Sequence, residues 1–261
     1  LSNIGTITLT QSGGATFAGT VNAGTVTITD TTGTVAFQDN TTLTTGLNTA
    51  AQDYAMAFTG SSNSIAGDTT FANTGNLTLG DGGDSITFVG GLDTTAVTNP
   101  VSIGGTVATT NTQMDLASVA LTANSSLSSG SGAANLASMD DGDNDYTLAL
   151  GSGSQTGSMT LTGNLNVGTL TTFGSAYGVL LTGATNTVET ATCSYLGRRR
   201  TTTTCGACLL HQRWPLLLTG AAFASTCPAS TTTIGQAWVL VATLKDAPPF
   251  GGGLAAHVDS L

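Results

Sequence analysis

Short runs in which an apolar residue alternates with threonine or serine recur from the start of the chain to about position 190. Clear examples are ITLT from Ile7, TVAF from Thr34, SITFVG from Ser85 and SMTLTG from Ser158. A period of two places alternate side chains on opposite faces of an extended strand, so each run predicts a short strand with one buried face. No helical period of comparable length competes with this alternation.

The residues that end these runs are Gly, Asn and Asp, which supply turn conformations. The Asn-Gly pair is absent, and Asp-Gly occurs only at Asp81 and Asp141. Few tight antiparallel hairpins are therefore encoded. With about 20 residues in each coil, the repetitive part of the chain would form roughly nine or ten stacked coils.

The chain also repeats itself at longer range. GNLTLG from Gly75 is echoed by GNLNVG from Gly163, and AQDYAMAFTGSSNSIAG from Ala51 by DNDYTLALGSGSQTGSM from Asp143. Repeats of this kind bury a core only against their neighbours, which predicts an all-β parallel β-solenoid over residues 1–190. An antiparallel β-sandwich is the alternative for strands of this length.

The solenoid hypothesis also predicts which residues are buried. They are the apolar members of the alternating runs, because one face of each strand must point inward. We expect the core to include Ile7, Val26, Ile28, Phe37, Phe58, Leu79, Ile86, Phe88, Leu121, Leu148, Leu161 and Val167.

Composition and charge narrow the possible partners. Hydrophobic residues make up 39% of the chain and charged residues only 8%, which favours a folded chain over a disordered one. Residues 1–197 include no Lys, Arg or His and carry a formal charge of −13. We expect no nucleic-acid partner, because nothing there neutralises phosphates. No apolar stretch is long enough to span a bilayer, so we expect no direct membrane insertion.

A resemblance to a known family lies in two segments rich in Thr, Gly and Asn, GTVTITDTTGTVAF and GNLTLGDGGDSITFVGG. Residues 1–190 resemble the β-strand-repeat, filamentous-haemagglutinin-like adhesins of bacteria. The resemblance implies a right-handed parallel β-helix in a longer secreted or cell-surface protein, located outside the cell. It also implies a non-catalytic segment that contacts cell-surface glycans or other surface proteins. Phage tail fibres and surface-layer proteins use similar repeats, so a structural part of that kind is the alternative function.

The acidic stretch DDGDNDY is the candidate metal site. Asp141, Asp143 and Asp145 are candidate calcium ligands, because calcium prefers carboxylate and carbonyl oxygens. The stretch departs from the EF-hand loop, since Tyr146 stands where the sharp turn needs Gly and no Glu follows at the bidentate position. A solvated acidic loop is the alternative, and no other cofactor is expected.

Catalysis has little support in the residue types. A lyase of acidic polysaccharides needs a cationic side chain, and residues 1–197 include none. We therefore expect that the protein is not an enzyme. A β-helical polysaccharide-active enzyme stays open as an alternative, because a glycosidase needs only a pair of carboxyl groups.

The composition changes abruptly at about Cys193. All four cysteines, all basic residues, both histidines and both tryptophans occur from that point onward. We expect residues 191–261 to form an irregular tail. The runs RRR, TTTT and LLL leave two explanations open, a separate small segment or a shifted reading frame.

Overall fold

The structure is a computed structural model that describes residues 1–193, so nearly all of the predicted tail lies outside the described residues. The described chain consists of strands and contains no helix. The strands are β1 (Ile4–Leu9), β2 (Ala15–Phe17), β3 (Val21–Ile28), β4 (Thr34–Phe37), β5 (Thr41–Asn48), β6 (Ala55–Phe58), β7 (Ser62–Ile65), β8 (Thr69–Thr70), β9 (Leu77–Phe88), β10 (Leu92–Asp93), β11 (Val101–Thr109), β12 (Met114–Leu116), β13 (Val119–Leu121), β14 (Ser125–Ser128), β15 (Ala134–Leu136), β16 (Met139–Asp140), β17 (Thr147–Leu150), β18 (Met159–Leu161), β19 (Leu165–Thr172), β20 (Val179–Leu181) and β21 (Asn186–Cys193).

Strand pairing is parallel throughout the described residues. The predicted parallel β-solenoid is confirmed, with about nine turns, and the antiparallel sandwich is wrong. The length of chain in one coil varies. The coil that joins the paired residues Val101 and Val119 is shorter than the coil that joins Met139 and Leu165.

Three ladders of paired strands run along the solenoid, and each coil crosses them in turn. Ladder I contains β2, β4, β6, β13 and β16, and ladder II contains β7, β14 and β17. Ladder III contains the separate six-stranded sheet β20-β18-β15-β12-β10-β8. The long strands β9, β11, β19 and β21 run from ladder I into ladder II. The strands β1, β3 and β5 begin on ladder II and continue beyond it as a paired stack, and β5 contacts the first strand of ladder III, β8.

The core is built from columns of inward side chains, one from each coil. Phe17, Phe37 and Phe58 stack on one another, with ring centroids 4.8 and 4.7 Å apart and nearly parallel planes. The strand spacing in a sheet is about 4.8 Å, so in-register pairing itself brings these rings into contact. The predicted core residues are buried with the exception of Ile7, which is only partly buried. Ile7 lies in the first coil, which has a neighbouring coil on one side only among the described residues.

Glycines lie where the chain changes direction between ladders. Gly80, Gly82 and Gly83 all have positive φ and lie inside β9, between its ladder I and ladder II parts. The GDGGDSI stretch is therefore a corner in a continuing strand. At another corner, a side chain on Gly157 would collide with the carbonyl oxygen of Gly132 in the preceding coil. Glycine there allows the coils to approach closely.

Replacing Leu161 by Asp tests the burial pattern. Leu161 is 1% exposed, so the variant would bury a carboxylate in a part of the chain that has no cation, and we expect a loss of about 4 kcal/mol in unfolding free energy. Thr160→Asp is the matched control, because the neighbouring Thr160 points outward and is half-buried. Thermal unfolding followed by circular dichroism and protease resistance should separate the two variants. Equal stability of both would contradict the assigned faces.

Candidate functional site

Polar side chains on the outer faces form ladders of their own, because neighbouring coils pair in register. On ladder III, Asp93 pairs with Asp115, and Asp115 pairs with Asn135. The Asn135 side-chain amide donates to Asp115 Oδ1 at 2.8 Å, and Gln113 Nε2 donates to Oδ2 at 2.6 Å. Two side-chain amides therefore hold the Asp115 carboxylate. We call Asp93, Gln113, Asp115 and Asn135 the carboxylate–amide cluster.

The cluster has acceptor atoms that face solvent. Asp93 is oriented by Thr95, whose amide and hydroxyl both donate to Asp93 Oδ1, at 2.8 and 2.7 Å. Gln113 and Asn135 are exposed, and their side-chain carbonyl oxygens have no hydrogen-bond partner within the described residues. These oxygens can accept hydrogen bonds from hydroxyl groups of a ligand.

A second carboxylate–amide pair lies on ladder I. Asn166 Nδ2 donates to Asp140 Oδ1 at 3.0 Å, and the amide of Gly142 donates to the same oxygen at 3.0 Å. The hydrogen bond from Gly142, followed by that from Asn166, holds the pKa of Asp140 below its ordinary value. Donors stabilise the charged form, so this carboxylate stays ionised near neutral pH.

The candidate calcium ligands do not converge. Asp141 is 3% exposed, and its Oδ2 accepts the amides of Tyr146 at 3.0 Å and Gly168 at 2.9 Å. Asp143 and Asp145 are exposed and have φ of 63° and 55°. In the described part of the chain, no group of three or more His, Cys, Asp or Glu side chains is arranged to hold a metal ion. The geometry gives calcium no support, and the assignment stays a prediction.

Buried side-chain amides, which the sequence pattern does not predict, brace the corners. Asn63 Nδ2 donates to the Gly60 carbonyl at 2.6 Å, and its Oδ1 accepts a backbone amide of the preceding coil at 3.1 Å. Asn186 repeats both contacts with Gly183 and its own preceding coil. The recurring signal is Gly-x-x-Asn before a strand, GSSN and GATN. These residues satisfy buried polar atoms and are inaccessible to a ligand.

An open pocket of about 230 Å³ lies beside the β9 corner. Its lining consists of Gly83, Asp84, Gly105, Thr106, Asn124, Ser125, Ser126 and Thr147. The Asp84 carboxylate accepts the amide of Asp81 at 2.9 Å. Burial, with the neighbouring Asp81 carboxyl adding to it, raises the pKa of Asp84 above its ordinary value. No aromatic side chain lines this pocket, so it offers no flat surface on which a sugar ring would stack.

Comparisons with protein families, curated proteins and solved structures gave no match. The described residues also contain no helix that could cross a membrane. The resemblance to bacterial adhesins therefore rests on the sequence segments alone, whereas the repeat fold that it implies is seen in the structure.

Asp141→Ala separates a corner brace from a calcium ligand. Two backbone amides would lose their acceptor, so we expect a loss of about 2–4 kcal/mol in unfolding free energy, even with a chelator present. Asp143→Asn, at an exposed neighbour in the same loop, should leave stability nearly unchanged, because Asn tolerates the positive φ at this position. Thermal unfolding with and without calcium measures both. Destabilisation that appears only when calcium is present would favour the metal site.

Proposed function

We propose that this chain is a non-catalytic, adhesive repeat segment of a large bacterial surface or secreted protein. Its role would be to present a rod with a polar surface outside the cell, to cell-surface glycans or to other surface proteins. The observation that carries the proposal is the in-register stacking of outward polar residues, such as Asp93, Asp115 and Asn135. A solenoid can present polar groups at a regular spacing along its side, so it can contact a ligand without a pocket.

The carboxylate–amide cluster is the best candidate for glycan contact. Sugars carry many hydroxyl groups, each of which can donate one hydrogen bond. The Gln113 and Asn135 oxygens that face solvent are acceptors, and Asp115 fixes both amides in place. Preorganised amides lose less side-chain entropy on binding than free ones.

Single contacts of this kind are weak, and repetition would supply the affinity. Linked weak sites raise the overall avidity by factors of about 10² to 10⁴ when geometry allows simultaneous engagement. Neighbouring coils lie about 4.8 Å apart, so adjacent rungs can meet adjacent groups of an extended glycan. The acidic surface disfavours anionic partners and leaves neutral glycans as the expected ligands.

A hydrolase is disfavoured at the same cluster, although Asp93 and Asp115 are neighbours across one strand spacing. Retaining glycosidases use carboxyl groups about 5 Å apart, one of them protonated as a general acid. Both oxygens of Asp115 are already engaged, because they accept hydrogen bonds from the side-chain amides of Gln113 and Asn135. This engagement supports a binding role over acid catalysis.

Binding to a panel of neutral glycans and to whole cells tests the proposal. Changing both Gln113 and Asn135 to Ala should remove most of the binding, because it removes the free acceptors and the brace on Asp115. Thr78→Ala, a half-buried outward change on ladder I, is the control that should keep full binding. Unchanged binding of the double variant would contradict the proposed surface. Turnover of a polysaccharide that Asp115→Asn abolishes would replace adhesion by catalysis.

A further inference from the structure

The outer face of ladder II differs chemically from the other two faces. One column of outward residues continues in register through six coils and consists of Ser62, Ser85, Thr106, Ser126, Ala149 and Thr171. A parallel column, two residues further along each strand, consists of Thr42, Ser64, Thr87, Ala108 and Ser128. We call these two columns the hydroxyl face.

The hydroxyl groups of this face have no hydrogen-bond partner within the described residues. Ser and Thr residues at the first position of a strand do have partners, since the hydroxyls of Thr41, Thr69 and Ser125 donate hydrogen bonds to backbone carbonyls. The face therefore offers a set of free donors and acceptors. Each hydroxyl can donate one hydrogen bond and accept two.

The geometry of the sheet fixes the positions of these hydroxyls. Rungs of the ladder repeat at about 4.8 Å along the solenoid, and residues two apart repeat at about 6.7 Å along each strand. The result is a regular two-dimensional lattice of small polar and methyl groups on a parallel sheet. A regular lattice of this kind complements the repeating surface of a crystalline ligand better than it complements a single small molecule.

The residue types narrow the class of crystalline ligand. The hydroxyl face has no charged residue and no aromatic one. Crystalline polysaccharides present sugar rings that stack on aromatic side chains, so the face lacks the group that would hold them. Charged mineral surfaces require charged side chains, which are absent too. The surface of ice presents water oxygens in rows whose repeats are close to the two repeats of the hydroxyl face. Hydroxyl and methyl groups are the only side-chain groups that such a surface needs to contact.

We propose that the hydroxyl face binds ice. Its Ser and Thr hydroxyls take lattice positions of water molecules, and the methyl groups of Thr106, Thr87 and Ala149 hold the water between them in an ordered, cage-like layer. Many equivalent contacts engage together, so the loss of a few breaks the match over a wide area. This function goes beyond the proposed adhesion to glycans and uses a different side of the rod.

Ice adsorption by the full 261-residue chain is the direct test. We expect the protein to enter a slowly growing ice surface, to give crystals flat facets and to show thermal hysteresis. Thr106→Tyr, in the middle of the first column, should lose most of that hysteresis because its ring lifts the ice from the sheet. Thr87→Tyr gives an independent variant in the second column. Thr160→Tyr, a half-buried outward change on ladder III, is the control that keeps it.

Circular dichroism verifies that each variant is folded before its activity is compared. Exclusion of the unmodified protein from ice, with crystals that stay round, would overturn the proposal, as would full hysteresis in folded Thr106→Tyr and Thr87→Tyr. Glycan binding by Thr106→Tyr and Thr87→Tyr should be unchanged, because these residues lie on ladder II and the carboxylate–amide cluster lies on ladder III. A protein that binds ice and no glycan would reject the adhesive function and leave this inference standing.

Discussion

The in-register stacking of parallel coils is the constraint on which the rest of the structure depends. Each coil contributes backbone hydrogen bonds to its neighbours and one inward side chain to each core column, as with Phe17, Phe37 and Phe58. Neither contribution exists in an isolated coil, so stability comes from nearest-neighbour contacts. Ion pairs between side chains do not contribute to this stability, because residues 1–197 include no Lys, Arg or His.

The same stacking turns single residues into surfaces. An outward Thr or Ser is an ordinary solvated side chain on one strand, whereas a column of them is a patterned surface with a fixed repeat. Ladder III carries carboxylates held by amides, and ladder II carries free hydroxyls. The sides of one rod can therefore contact chemically different ligands without any enclosed site.

The strands themselves could be predicted from the sequence, because alternation is a local property. TVAF from Thr34 coincides with β4, and GNLTLG and GNLNVG both supply ladder I. The ladder on which each strand lies could not be predicted from the sequence. The echoed segments from Ala51 and Asp143 contain β6 and β17, which lie on ladders I and II. Because the coils differ in length, similar segments lie on different sides of the solenoid, and the local sequence does not indicate the side.

The candidate site was less predictable than the fold for the same reason. The carboxylate–amide cluster joins residues of three coils, and their register depends on every intervening loop. The acidic run was visible in the sequence, but Asp141 points inward to backbone amides that include one 27 residues away. Short-range spacing cannot show that a carboxylate is used to brace a corner. The buried amides Asn63 and Asn186 became recognisable only once their contacts in neighbouring coils were known.

Distances along ladder II test the central claim, parallel in-register stacking, most directly. Thr42, Thr87 and Ser128 lie in one column, in which Thr42 and Thr87 are two coils apart and Thr42 and Ser128 are four coils apart. With spin labels at pairs of these sites and the native cysteines replaced by Ser, electron-spin distance measurements should give a backbone separation of roughly 10 Å for Thr42 and Thr87. The separation for Thr42 and Ser128 should be roughly 20 Å. Equal distances for the two pairs, or a shorter one for Thr42 and Ser128, would contradict the solenoid.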